Sequence, residues 1–88
     1  MIEAYWARRQ YVLRSTLYIL NADMGPYHIK PDGGLEDSLH QIANYIQTIG
    51  IETLYVDSPT DLEFLPKLKE ILVTNYSYNK DFKMEVKN

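Results

Sequence analysis

The chain contains no cysteine, which excludes disulfide bonds and zinc sites built from thiolates. Its apolar runs fall far short of the ~20 residues that a membrane-spanning helix needs. No repeat or low-complexity tract is present, and the first residues lack the basic and apolar regions of a secretory signal. We therefore expect residues 1–88 to form a single compact domain in the cytoplasm, with no membrane partner and no cofactor.

Positive charge is scarce and unevenly placed. Nine basic residues stand against twelve acidic ones, giving a net charge of −3. Residues 4–22 contain Arg8, Arg9 and Arg14 but no acidic residue. Because phosphate neutralisation supplies much of the affinity for nucleic acids, an acidic chain is a poor non-specific binder of DNA. A local basic surface remains compatible with this composition.

Residues 31–56 give the clearest structural signal. Apolar residues recur at helical spacing at positions 35, 39, 42, 43, 46 and 49, Gly50 ends the pattern, and residues 51–56 read as a strand. This strand carries apolar residues on both faces, which predicts an interior position in a sheet.

The remaining segments complete an α/β (α+β) fold in the order β-β-α-β-α-β. We expect a helical or irregular lead over residues 1–10, a strand over 11–20 and a short return strand over 27–30. A turn over 60–65 precedes a helix from Pro66 to about Asn75, and residues 82–87 alternate as an edge strand. The expected architecture is a two-layer sandwich, with a four-stranded mixed sheet and two helices mainly on one face.

The second helix has an unusually wide apolar surface, spread over roughly 200° of its circumference at 100° per residue. Either residues 62–65 are not helical, or the N-terminal segment packs over this surface, or part of it meets another chain. Tyrosine is also abundant, at eight residues of 88. Tyrosine is frequent at protein interfaces, although it also fills strand positions. The residues that these patterns make interface candidates are Tyr45, Phe64, Leu68, Ile71, Leu72, Tyr76 and Tyr78.

Two other functions remain open. Basic and aromatic residues interleave near the N-terminus, as in surfaces that stack on single-stranded nucleic acid. The residues concerned are Trp6, Arg8, Arg9, Tyr11 and Arg14. A small hydrolase or metal-dependent enzyme would use Asp57, which follows the interior strand, together with His28 as weak catalytic candidates. No metal-ligand spacing is present, so no metal site is expected.

The sequence thus favours a small non-enzymatic protein-binding or regulatory module that acts as a homodimer. The lack of catalytic signatures, the wide apolar surface, the tyrosine content and the alternating last strand all contribute to this hypothesis.

Overall fold

The computed structural model describes residues 1–8, 15–78 and 80–87. It shows a five-stranded mixed sheet in the order β3-β2-β1-β4-β5, with two helices. The strands are β1 (Ile2–Arg8), β2 (Ser15–Ile19), β3 (Tyr27–Ile29), β4 (Ile51–Val56) and β5 (Lys83–Val86), and the helices are α1 (Gly34–Tyr45) and α2 (Leu65–Tyr76).

The first strand corrects the expected chain order. Residues 2–8 form the central strand of the sheet, where a helical or irregular lead was expected, so the sheet has five strands and the order is β-β-β-α-β-α-β. Ala4 and Trp6 are buried, while Tyr5 between them and the residues on either side are more exposed. This alternation is the two-residue period of a strand. Of the strand expected over residues 11–20, the structure shows Ser15–Ile19, and residues 11–14 lie outside the described part.

Strand pairing confirms the mixed sheet. β1 pairs antiparallel with β2, and β2 pairs antiparallel with β3, as the expected hairpin requires. β4 pairs parallel with β1 on one side and with β5 on the other, so β4 is interior and β5 is an edge strand, as expected.

A register shift explains the apolar residues of β4. Ile2 pairs with Ile51 but Glu3 pairs with Thr53, so Glu52 is an extra residue relative to β1. Ile51 and Leu54 consequently both lie in the core on the helix side, each fully buried. The strand is interior within the sheet, but helices cover only one of its faces.

The helices follow the sequence pattern closely. α1 continues through a π-helical turn, Ile46–Gly50, and the chain leaves it at Gly50 with a φ of +85°. A 3₁₀ helix, Pro59–Phe64, occupies the expected turn and leads into α2. None of the helices among the described residues has the length and apolar content to cross a membrane.

Both helices pack on the same face of the sheet, because their buried residues form one core with alternate strand residues. The largest fully buried side chains are Trp6, Leu17, Ile29, Ile42, Ile46, Ile51, Leu54, Leu68 and Leu72. No helix of the described residues covers the opposite face.

The wide apolar surface of the second helix is covered within the single chain, so the expectation that another chain covers it is wrong. Leu68, Ile71 and Leu72 are buried in the core of the single chain. Residues 62–65 belong to the 3₁₀ helix and the first turn of α2, and Phe64 packs against Trp6 with ring centroids 6.0 Å apart. The N-terminal strand therefore covers this region, and Val73, 56% exposed, is the large apolar residue of α2 that remains in solvent.

Candidate functional site: the tyrosine face

Three tyrosines form a row across the helix-free face of the sheet. Tyr18 on β2 pairs with Tyr5 on β1, and Tyr5 pairs with Tyr55 on β4. The rings of Tyr5 and Tyr18 are stacked, with centroids 6.1 Å apart and planes 19° apart. Because residues directly opposite in a sheet share a face, the three phenol groups lie in one row on the same face, which we call the aromatic strip.

We call this surface the tyrosine face. Charged and small polar residues of the same strand faces surround the row. Its residues are Glu3, Tyr5 and Ala7 on β1, Thr16 and Tyr18 on β2, Thr53 and Tyr55 on β4, Lys83 and Glu85 on β5, and Asp57 and Lys87 just beyond the ends of their strands.

Hydrogen bonds fix two of the three tyrosines in place. The Tyr55 hydroxyl donates to Glu3 Oε2 at 2.8 Å, and the Tyr5 hydroxyl donates to Asp57 Oδ1. The bond to the Glu3 carboxylate, together with desolvation, raises the pKa of Tyr55 above its ordinary value. A phenol is protonated at neutral pH, so the Tyr55 hydroxyl donates to Glu3 there and anchors the ring on this face.

Lys87 adds a cation to the aromatic strip. Its Nζ lies 4.8 Å from the centroid of the Tyr5 ring, within the range of a cation–π contact. Tyr5, Tyr18, Leu20, Asp57 and Lys87 line a shallow depression that opens to solvent. Aromatic side chains at the centre with a polar and charged rim also occur at many protein-contact surfaces.

Trp6 and Arg8, the two described residues among the proposed nucleic-acid contacts, are both engaged within the fold. Trp6 is 1% exposed, and its Nε1 donates to Ser15 Oγ at 2.8 Å, so its ring has no face available to a base. Arg8 Nη1 lies 2.8 Å from Asp61 Oδ1, and its guanidinium lies 4.8 Å from the Phe64 ring centroid. The remaining candidates, Arg9, Tyr11 and Arg14, lie outside the described residues.

The seven interface candidates divide into two groups. Leu68, Ile71 and Leu72 are core residues, and Tyr78 is buried with its hydroxyl donating to the Ile51 carbonyl oxygen at 2.9 Å. These four offer almost no surface to another chain.

The other three candidates are partly buried against the core. Tyr45 packs on Tyr27 with ring centroids 4.7 Å apart, and Phe64 and Tyr76 contact the core from its edge. All three lie on the helix side of the molecule, away from the tyrosine face.

Asp57 and His28 are too far apart to act together. In the register of the sheet, His28 pairs with Thr16 and Thr16 pairs with Ala7, while Asp57 follows Val56, the β4 partner of Trp6. Three strand spacings of about 4.8 Å each separate them by roughly 14 Å. This distance exceeds even a water-bridged hydrogen bond, so a joint acid–base role is overturned.

Asp57 has a structural role. Its carboxylate accepts hydrogen bonds from the Tyr5 hydroxyl and from the Arg8 backbone N–H, the latter at 3.1 Å. It thereby ties the end of β4 to β1. Among residues 1–8, 15–78 and 80–87, no three acidic, histidine or cysteine side chains group as metal ligands.

The tyrosine row was not among the sequence-based candidates. Tyr18 and Tyr55 were assigned as strand residues, but their shared face depends on β1 lying between β2 and β4. The available signal was the alternation of residues 2–8, which places Tyr5 opposite to Ala4 and Trp6.

Comparisons with protein-family models, curated protein sequences and solved structures find no match for this chain. The surface of the molecule itself is therefore the basis for a functional proposal.

Proposed function

We propose that this chain is a small non-enzymatic protein-binding module whose contact surface is the tyrosine face. The observation that carries the proposal is the row of Tyr18, Tyr5 and Tyr55 on a sheet face that no helix of the described residues covers. Tyrosine contributes large contact area at low entropic cost and is enriched where partners bind.

The charges of the face favour protein over nucleic acid as the partner. Glu3, Asp57 and Glu85 place three carboxylates beside the aromatic strip, against the two ammonium groups of Lys83 and Lys87. A phosphate backbone would meet more negative than positive charge there, which opposes binding. A protein partner can supply groups of both signs.

The pre-organised tyrosines also favour binding. Because Tyr55 and Tyr5 are hydrogen-bonded to acidic residues of the same face, a partner would not need to order these side chains. Ordering a flexible side chain costs about 0.5–1.5 kcal/mol on association, so a fixed surface binds more tightly.

The test uses Tyr18, which is 42% exposed at the end of the row. Tyr18→Thr removes the ring while keeping a residue with high strand propensity, and Tyr18→Phe keeps the ring. Val73→Thr is the matched control, because Val73 is exposed on the helix side. A partner is captured from the native host with the unmodified chain and purified, and its dissociation constant is measured for each variant by calorimetry.

We expect Tyr18→Thr to weaken binding by about tenfold or more, as truncation of a contact tyrosine does, with Tyr18→Phe and Val73→Thr close to the unmodified chain. The proposal is contradicted if the purified partner binds Tyr18→Thr with the same dissociation constant as the unmodified chain. It is also contradicted by Tyr18-dependent binding of a labelled single-stranded oligonucleotide that falls steeply with salt, since that result assigns the face to nucleic acid.

A further inference from the structure

The outer edge of β5 carries a charge pattern that is complementary to itself. Beginning at Asp81, the alternate residues of this segment are negative, positive, negative and positive. They are Asp81, Lys83, Glu85 and Lys87, and all four are exposed. Met84 lies at the centre of the segment. Residues at equal distances on either side of Met84 carry opposite charges.

The backbone of this edge is available for pairing. β5 is the last strand of the sheet and pairs only with β4 among the described strands. The Lys87 backbone N–H donates to the Val56 carbonyl oxygen at 2.8 Å. Because neighbouring residues of a strand direct their backbone groups to opposite sides, Met84 and Val86 direct theirs outward.

From these two observations we infer that the chain forms a two-fold homodimer by antiparallel pairing of β5 with β5 of a second copy, centred on Met84. In this register the two Met84 residues form a hydrogen-bonded pair. Lys83 stands opposite Glu85 of the second copy, and Asp81 stands opposite Lys87. The two-fold axis repeats each pair, which gives four opposite-charge pairs and a continuous ten-stranded sheet.

The apolar side of the strand fits the same register. Phe82 and Met84 are buried and Val86 is half-buried, and all three point to the helix side. Phe82 stands opposite Val86 of the second copy, beside the central Met84 pair. Apolar residues therefore meet apolar residues on one face while opposite charges meet on the other.

The charges also specify this register against its nearest competitor. Centring the pairing on Glu85 instead would place the two Glu85 residues opposite each other and Lys83 opposite Lys87. Like charges directly opposite in a sheet destabilise the pair. Edge strands that carry charge of one sign resist pairing, whereas this alternation favours the register centred on Met84, which forms the most opposite-charge pairs.

This inference goes beyond the proposed function, because it names a second copy as partner and uses the outer backbone edge of the β5 segment, whose Lys83, Glu85 and Lys87 side chains border the tyrosine row. The two are separable by experiment. Sedimentation equilibrium measures self-association of the purified full chain, with no other protein present, and Tyr18→Thr is included as the variant of the tyrosine face.

Charge reversal provides the variants. Lys83→Glu and Glu85→Lys each make two pairs repulsive, while the double variant with both changes restores attraction with the signs exchanged. Lys69→Glu and Glu70→Lys make the same changes in net charge at exposed positions of α2, remote from the edge. Lys83 and Glu85 are exposed, so we expect all variants to fold, which far-UV circular dichroism checks.

We expect the unmodified chain to dimerise with a micromolar dissociation constant, typical of a small interface. Each single reversal at β5 should weaken dimerisation by about tenfold or more, and the double variant should recover it. An equimolar mixture of the two single variants should also dimerise, because one strand is then wholly positive and the other wholly negative at positions 83 and 85.

Three results would overturn the inference. One is a strictly monomeric unmodified chain up to the millimolar range. Another is a dimer that neither reversal weakens, or that the α2 controls weaken equally. The third is a dimer lost in Tyr18→Thr but kept in both β5 variants, which would place self-association on the tyrosine face.

Discussion

Among single residues, Arg8 and Asp61 show how a buried acid can be paired with a partly exposed base. Asp61 is 6% exposed in the 3₁₀ helix, and its carboxylate meets the Arg8 guanidinium at 2.8 Å. The guanidinium also lies 4.8 Å from the Phe64 ring centroid. Arg8 therefore neutralises a buried acid and covers an aromatic ring, so that its Nη1 and one face of its guanidinium are already engaged.

Replacing Arg8 should destabilise the fold more than replacing its partner. Arg8→Met keeps the apolar stem but removes the ion-pair partner of a buried carboxylate, which should lower the unfolding free energy by about 1–3 kcal/mol. Asp61→Asn should cost less, because the Arg8 side chain is 40% exposed and can be hydrated. Urea unfolding at neutral pH measures both.

An Arg8→Met variant as stable as the unmodified chain would show that the ion pair contributes nothing and that Arg8 is available to a ligand. The sequence alone could not reveal this pairing. Arg8 was grouped with Trp6 and Arg9 because they are neighbours in the chain, whereas its partner lies 53 positions later.

At the scale of secondary structure, the ends of the two helices use the same left-handed backbone conformation with different residues. The chain leaves the π-helical turn at Gly50 with a φ of +85°, and leaves α2 at Ser77 with a φ of +52°. Glycine adopts this conformation without strain, whereas a residue with a Cβ pays about 1–2 kcal/mol. The two positions therefore predict opposite responses to substitution.

Gly50→Ala should lower the unfolding free energy by about 1–2 kcal/mol, and Ser77→Gly should raise it by up to about 1 kcal/mol. A Cβ added at Gly50 meets no atom within 4 Å, so the cost there is conformational and not steric. Parallel urea titrations of both variants test the pair. A neutral Gly50→Ala would show that the left-handed conformation is not required at this helix end.

Helices were easier to predict than the first strand for a physical reason. α1 and α2 are specified by local periodicity, and Gly50 marks the end of the first, so their bounds follow closely from the sequence. Residues 2–8 satisfy a helical and a strand pattern about equally. Their pairing with β4, some fifty positions later, decides between the two patterns, and that pairing is not visible locally.

For the whole molecule, strand order determines which residues form the proposed contact surface. The chain visits β1 first, yet β1 lies at the centre of the sheet between β2 and β4. This arrangement collects Tyr5, Tyr18 and Tyr55 into one row, although they are spread over fifty positions. The α/β class and the single-faced helix layer follow from composition and periodicity, but the tyrosine row needs the order of the strands.

Trp6 connects this central strand to the rest of the fold. It is the single tryptophan of the chain, it is 1% exposed, and its ring contacts Phe64 of the 3₁₀ helix while its indole N–H bonds to Ser15 on β2. Its fluorescence therefore reports the packing of several elements at once. In a small two-state domain, the core around the Trp6 indole and the secondary structure should unfold in the same transition.

We expect native Trp6 to emit at shorter wavelength than in concentrated urea and to be quenched far less by iodide. The urea transition followed by Trp6 emission should coincide with that followed by far-UV circular dichroism. Trp6→Phe supplies the tyrosine background for subtraction. Equal iodide quenching in native and unfolded protein would place the indole at the surface. That result would contradict the sheet order, and Trp6 would again be a candidate for stacking on a base.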